Sequence, residues 1–270
     1  MLFKNKKAIK EENERLEKER KAAQLKLEEE RRVRKIQDFQ NELDSITSFE
    51  IVRSASNLKR RTQSEMPSIK YSNIIRSTKI ESLFPLVVLD TETTAISTRS
   101  GRIVELSAIK YEYCFKPISK FDTLINPQKT IPEEATAINN ITYDMVKDSP
   151  TFPEVVDSFS RFCTGCNIVG HNLPFDLQHL FCSGFNLPER IKFIDTLDFA
   201  KKTLKKYGDQ SYNHHSGEYE ETEDWDVYDY KLETLCAFYG IERNNAHRSL
   251  SDCHATAKVL ENLINDKTSQ

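Results

Sequence analysis

Glycine is scarce in this chain, 7 of 270 residues, and there is a single tryptophan. So little glycine, with no Gly-x-y period, excludes collagen-like and glycine-rich disordered classes. No run of about eighteen apolar residues occurs, which speaks against a membrane-spanning helix, and the lysines near the N-terminus are not followed by the short apolar core of a secretory signal. A cytoplasmic protein with no membrane partner is the expectation. The cysteines, 6 in all, are spread irregularly at positions 114, 163, 166, 182, 236 and 253. A chain this long does not need disulfide staples, so free thiols are expected. Cys163-Thr164-Gly165-Cys166 has no second Cys or His pair at finger spacing, and it reads as two small apolar residues at a helix end instead of a zinc or redox pair.

What the chain has in abundance is charge, 30% of residues, beside 38% hydrophobic content. Its net charge of -3 conceals an asymmetry. Residues 1 to 80 hold 20 Lys/Arg against 13 Asp/Glu, a net of +7, and residues 81 to 270 hold 19 against 29, a net of -10. A basic arm precedes an acidic domain. The acidity does not by itself exclude a nucleic-acid enzyme, because a metal site crowds carboxylates that divalent ions then offset.

Three segments follow from the patterning. From about Lys4 to Leu43 the chain lacks Gly and Pro and places opposite charges three or four apart, which predicts one long helix over residues 1–45. Its apolar positions, among them Ile9, Leu16, Leu25, Leu27, Val33, Ile36, Phe39 and Leu43, drift from a strict heptad. A coiled coil, giving self-association or a protein partner, and a solvated spacer both stay open. Residues 46–84 form a Ser/Thr-rich linker with seven basic residues between Arg53 and Lys79 (Arg53, Lys59, Arg60, Arg61, Lys70, Arg76, Lys79) against Glu65 alone, either a phosphate-binding tract or a plain tether. Residues 85–265 read as a folded α/β domain. Leu86 to Leu89 is a continuous apolar run of a buried strand ending on Asp90, Ile103 to Tyr113 alternates as a second strand, and Phe115 to Asn126 gives a third. Helix starts at Pro132 and Thr142, a helix at about Phe152 to Cys163 and a short strand at Asn167 to Gly170 complete a mixed-sheet pattern.

Asp90 and Glu92 stand two apart at the end of the first strand, so their carboxylates share a face. Asp176 falls in the first turns of a helix that follows the second short strand. His247 precedes Asp252 by five residues, just before an amphipathic helix expected at Ala255 to Ile264. Four acids from three segments and one histidine are the inventory of two-metal phosphodiester hydrolysis. Hard oxygen ligands suit two divalent ions, Mg²⁺ or Mn²⁺, and a histidine of near-neutral pKa can take a proton from the attacking water.

The strings Val87-Val-Leu-Asp-Thr-Glu-Thr-Thr94, Val169-Gly-His-Asn-Leu-Pro-Phe-Asp176 and Ala246-His-Arg-Ser-Leu-Ser-Asp-Cys253 closely resemble the three motifs of DnaQ-like (DEDDh) 3′-5′ exonucleases, a family that includes the epsilon subunit of bacterial DNA polymerase III. The resemblance covers nearly all of residues 85 to 265. It implies a ribonuclease H-like fold, a five-stranded mixed sheet flanked by helices, here preceded by the long charged helix. It also implies release of nucleoside monophosphates from the 3′ ends of single-stranded DNA. Asp90, Glu92 and Asp252 would ligate one metal, Asp90 and Asp176 the second, and His247 would be the general base. Thr93 with the adjoining backbone, including Thr94, would hold the terminal nucleotide. Asn172 and Phe175 either line the substrate groove or serve as a turn-capping Asn and a core Phe. The same motifs are compatible with an RNA-trimming enzyme, since the 2′-hydroxyl is read by pocket shape, and a catalytically weak binding or scaffold module keeps the fold without the turnover.

Two departures from the family stand out. Ala95 occupies a turn position where glycine is frequent. An acidic insertion at about 207–229, with Glu218, Glu220, Glu221, Glu223, Asp224, Asp226, Asp229 and the lone Trp225, is expected as a surface loop. Before it, Lys201, Lys202, Lys205 and Lys206 are candidates for phosphate contact or a solvated helix face. Glu105 is a candidate brace for the second strand, while His179, His214, His215 and His254 lack partners at ligand spacing.

Overall fold

The computed structural model describes residues 2–54, 56–213, 218–221, 225–243 and 247–269. His214, His215, Glu223, Asp224 and Ala246, named above, lie outside them.

The apolar run at Leu86 opens β1 (Leu86–Thr93), the centre of a five-stranded sheet of order β3-β2-β1-β4-β5. β2 (Ile103–Glu112) and β3 (Lys116–Leu124) form an antiparallel meander with β1. β4 (Asn167–Gly170) and β5 (Phe193–Asp195) add in parallel on the other side. β1 is apolar on both faces because both are covered. Leu86 and Val88 point into one core with α6 (Thr196–Thr203), α7 (Leu232–Phe238) and α8 (Ser249–Ser269). Val87 and Leu89 point into a second core with α4 (Phe152–Cys163) and α5 (Leu173–Ser183). Two short helices, α2 (Glu133–Asn139) and α3 (Tyr143–Val146), follow β3.

α1 (Leu2–Ser45) is the long helix expected, stitched on its exposed length by pairs such as Lys21 to Glu17 at 2.8 Å. Leu16, Leu25, Leu27 and Val33 are exposed, whereas Phe39, Leu43 and Ile46 are buried in the core that α8 lines. The helix therefore docks by its C-terminal end. Glu42 fastens the contact, accepting from Lys258 Nζ at 2.8 Å and lying 3.2 Å from His254 Nε2, off the direction a hydrogen bond requires. His254 Nδ1 pairs with the Tyr111 hydroxyl at 3.0 Å.

Residues 46–84, expected as a linker, are laid along the domain instead of hanging free. Phe49 N donates to Lys120 O at 2.7 Å, Ser54 N to Glu154 O at 2.9 Å, and Arg61 N to Cys182 O at 3.0 Å. Ile74 and Leu83 are buried. The acidic insertion is not simply a loop. It contains the hairpin of β6 (Gln210–Asn213) and β7 (Glu218–Glu221), and Tyr207, Trp225 and Tyr228 cluster at its base, with the Trp225 and Tyr228 rings 4.5 Å apart. All cysteines are free thiols, and burial pushes the Cys163 thiol well up, as suits an apolar role. Among the described residues no helix is long and apolar enough to cross a membrane.

Candidate active site

The alternation of β1 decides which acid meets which helix. Asp90 and Glu92 continue the Leu86 and Val88 face, and there they meet Asp252 in the first turn of α8. Ligand oxygens of Asp90, Glu92 and Asp252 all lie within 4.8 Å of one another. Thr91 continues the opposite face, against α5, and anchors Asp176: the Asp176 Oδ1 accepts from Thr91 N at 3.0 Å and Thr91 Oγ1 at 2.7 Å. Asp176 is thus fixed beside the trio without being one of the three that converge. α8 starts earlier than expected, at Ser249, so Asp252 is helical and not in a preceding loop. His247 stands in the turn before it with φ of 63° and lines a cavity with Asp90 and Asp252.

The carboxylates are crowded, and their acidities report it. Burial first, then the charges of Asp176, Glu92 and Glu105, pushes Asp90 well above the usual carboxylate range. Glu92 is pushed up to about 8 by burial and then by Glu105 and Asp176. Asp176 is raised by burial against the opposing effect of its Thr91 bonds. Such a set holds protons that a divalent cation would replace, and its all-oxygen donors fit a hard ion such as Mg²⁺ or Mn²⁺. The Arg243 guanidinium pairs with Asp252, with both side chains nearly buried.

Several supporting residues were not legible as such in the sequence. Glu92 faces Glu105 directly across the β1–β2 ladder, a like-charge pair that destabilises a sheet unless one member is engaged elsewhere. Glu105 is: Arg248 grips it with Nη2 at 2.6 Å and Nε at 3.0 Å, and Ser249 N donates to it at 3.0 Å. The candidate brace thus pins the segment that carries His247 to β2. Asn139, buried at the end of α2, lies beside Glu92 and lowers its pKa against the effect of burial. Asp195 accepts from Asn172 N at 2.8 Å and caps α6 through Leu197 N, holding the turn that leads to Asp176. His179 gives its Nε2 to Ile96 O at 3.0 Å, bracing the loop after β1.

Two cavities flank the acids. One of about 530 Å³ runs from Asp90, Asp252 and His247 past His171 and Asn172 to Lys201, Lys206 and Lys231. Of the four lysines singled out, Lys201 and Lys206 line it, while Lys202 is engaged by Asp198 and Asn73 at 2.5 Å each. The other, about 510 Å³ and mostly apolar, is walled by Glu92, Thr93, Thr94, Ala95, Ile96, Ile138 and Phe175. Phe175 is a cavity wall, not a core ring, its centroid 4.7 Å from that of His179 with the rings tilted. Asn172 is left-handed at the N-cap of α5, where its side chain makes no cap bond. Thr94 is buried and accepts from Arg102 N at 3.0 Å, so it shapes the turn. Thr93 donates to Ala95 O at 3.1 Å.

A family model described as Exonuclease matches residues 87–260. The DNA polymerase III subunit epsilon of Treponema pallidum is 30% identical over 180 residues, which is 65% of this chain and 74% of that protein. A PolC-type DNA polymerase III from Caldanaerobacter subterraneus is 29% identical over 180 residues, 66% of this chain. This chain spans 11% of that polymerase's length. Among solved structures, E. coli exonuclease I in complex with a dT13 oligonucleotide superposes with a TM-score of 0.52 at 20% identity, over 66% of this chain and 40% of that one. The mixed sheet flanked by helices is the ribonuclease H-like fold.

Proposed function

The chain belongs to the exonuclease family, and from that premise we propose that it is a metal-dependent 3′-5′ exonuclease of the DEDDh type acting on single-stranded DNA. The observation that carries this reading is the convergence of Asp90, Glu92 and Asp252 within 4.8 Å, with Asp176 fixed beside them and His247 on the same cavity. Asp90, Glu92 and Asp252 would hold one divalent ion, and Asp90 with Asp176 a second. Two such ions lower the pKa of the attacking water and offset charge on the leaving oxygen.

The rest is done by the chain's own groups. His247 takes the proton of the attacking water at its imidazole nitrogen. Thr91 keeps Asp176 aimed, so that this ligand need not reorganise. The apolar cavity behind Thr93 to Ile96 accepts the terminal nucleoside, with the Phe175 ring as one wall. Lys201, Lys206 and Lys231 set positive charge on the far side of the acids for phosphate approach. The exposed length of α1 is the surface for self-association or a protein partner, read by the mass of the full chain in solution.

The test is 3′-labelled single-stranded DNA incubated with the protein and Mg²⁺ or Mn²⁺. Label should be lost as mononucleotide, and Asp90→Ala should abolish the loss. Full activity in that variant, or no turnover by folded wild-type protein with either ion, overturns the assignment. Matched RNA run alongside reads the sugar preference.

A further inference from the structure

A third cavity, of about 560 Å³, opens on the other side of the loop that walls the nucleoside pocket. Ile96 belongs to the pocket and Ser97 to this cleft, so the two cavities adjoin across one peptide unit. One wall is Ser97, Thr98 and Arg99. The other comes from outside the family-matching region: Arg60, Arg61, Thr62 and Ser64, on the segment laid against α5, the helix that bears Asp176. That segment is held there firmly, with Gln63 Nε2 donating to Gln178 Oε1 at 2.9 Å and Arg61 Nη2 to Asn186 Oδ1 at 2.7 Å.

The cleft concentrates guanidinium groups with little to neutralise them. Arg60 reaches only carbonyls, Thr98 O at 2.6 Å and Gly101 O at 3.4 Å. Arg61 is likewise spent on the oxygens of Gly184, Phe185 and Asn186 and on the Phe181 ring. Arg99 is exposed and has no partner among the described residues. The nearby carboxylate, Glu65, accepts from the Thr62 amide and hydroxyl at 2.6 Å each and offsets part of the Arg61 charge, leaving Arg60 and Arg99 without a carboxylate partner among the described residues. Burial and then the charge of Arg102 lower the pKa of Arg60, so that guanidinium is partly desolvated beside a like charge. Guanidinium forks framed by hydroxyls suit phosphodiester oxygens, and the cleft is too large for a lone phosphate.

We propose that the cleft between Arg60, Arg61 and Arg99 holds the phosphodiester backbone of the substrate strand upstream of the nucleotide in the active site, so that the N-terminal segment lengthens the substrate track. The proposal rests on the nuclease reading for the identity of the polyanion.

Binding of fluorescent DNA to the full chain carrying Asp90→Asn, so that nothing is cut, tests it. A dodecanucleotide and a trinucleotide are compared by anisotropy across a salt series. Adding Arg99→Glu should weaken dodecanucleotide binding by about ten- to a hundredfold, as for one lost charge-assisted phosphate contact, and flatten the salt slope by about 0.7. The trinucleotide should weaken much less. Ser64→Glu, exposed at the mouth, should act in the same direction, and because neither residue packs in the core, unchanged melting temperatures serve as the folding control. Wild-type affinity and slope in both variants, or equal loss for the two oligonucleotides, overturns the proposal. Length-dependent, salt-sensitive binding together with absent turnover in wild-type protein would sink the hydrolytic reading and leave the cleft standing.

Discussion

Removing charge from the acid trio should stabilise the protein when no metal is present and abolish its stabilisation by metal. With ligand oxygens of Asp90, Glu92 and Asp252 within 4.8 Å of one another, any two ionised members repel by about 3.5 kcal/mol at an effective dielectric near 20. In chelator the folded protein answers such crowding by retaining protons: burial, then the charges of Glu105 and Asp176, raises Glu92 to about 8. Its folded pKa lies above its unfolded value, so between the two the folded state binds the extra proton and stability falls as pH rises. The slope approaches about 1.4 kcal/mol per pH unit for one retained proton. Over about pH 7 to 8 that is about 1.4 kcal/mol for each retained proton, or about 3 to 6 °C in melting temperature per proton for a domain of this size. Asp176, raised to about 7, and Asp90, raised by burial, retain protons in the same window and steepen the fall. His254, lowered by burial, costs stability only as pH falls below about 6.5, and Glu42, lowered with His254 and Lys258 beside it, loses its contribution only as pH falls below the ordinary glutamate range.

The assay is thermal denaturation in chelator, with and without a saturating divalent ion. Saturation at about a hundredfold over Kd adds about 2.7 kcal/mol, or about 5 to 11 °C. Asp90→Asn should raise the chelated melting temperature at pH 8, shallow its pH dependence and remove most of the metal shift. A chelated wild-type protein that becomes more stable from pH 7 to 8, or an Asp90→Asn variant with the full metal shift, refutes the reasoning.

Other consequences are open to measurement. His247→Ala should cost about 10² to 10⁴ in turnover while metal affinity, read by calorimetry, stays close to wild type; unchanged turnover would contradict its role. Arg243→Gln should tighten metal binding by about tenfold, since a cation no longer has to displace a guanidinium from Asp252, and weaker binding would show that Arg243 supports the site instead of competing for it. Phe39→Ala should lose about 3 to 5 kcal/mol in denaturant unfolding, because the ring is 4% exposed and packs 4.6 Å from the His254 ring; a loss under about 1 kcal/mol would mean that α1 is not part of the cooperative unit.

The strands and the acids were legible because their signals are local. A four-residue apolar run names a buried strand, and a two-residue spacing puts Asp90 and Glu92 on one face whatever the rest of the chain does. What stayed hidden depends on register and on long-range pairing. The grip of Arg248 on Glu105 joins residues 143 apart, and the bond from Thr91 to Asp176 joins residues 85 apart. His179 looked idle because its partner is a backbone carbonyl, which leaves no trace in residue type. The docking of α1 did leave one: Phe39, Leu43 and Ile46 follow the i, i+4, i+7 spacing of a buried helical stripe, diluted in the sequence by the thirty-odd polar-rich residues before them.

The asymmetry of charge takes on a physical meaning once the chain is folded. A trio of carboxylates at 4.8 Å is the worst neighbour for a polyanion, and the segment 81 to 270 is acidic overall at -10. Divalent ions cancel the trio locally but reach only about a Debye length, about 8 Å at physiological salt. Beyond that distance the approach of a nucleic acid depends on fixed cations. The family-matching region supplies Lys201, Lys206 and Lys231 on one side of the acids, whereas on the other side the guanidiniums of Arg60 and Arg61 arrive from residues 46–84. A segment whose composition reads as a tether is therefore where an acidic nuclease would place the positive charge its own sheet cannot carry, and its close hydrogen bonding to α5 and β3 keeps that charge in register with the site.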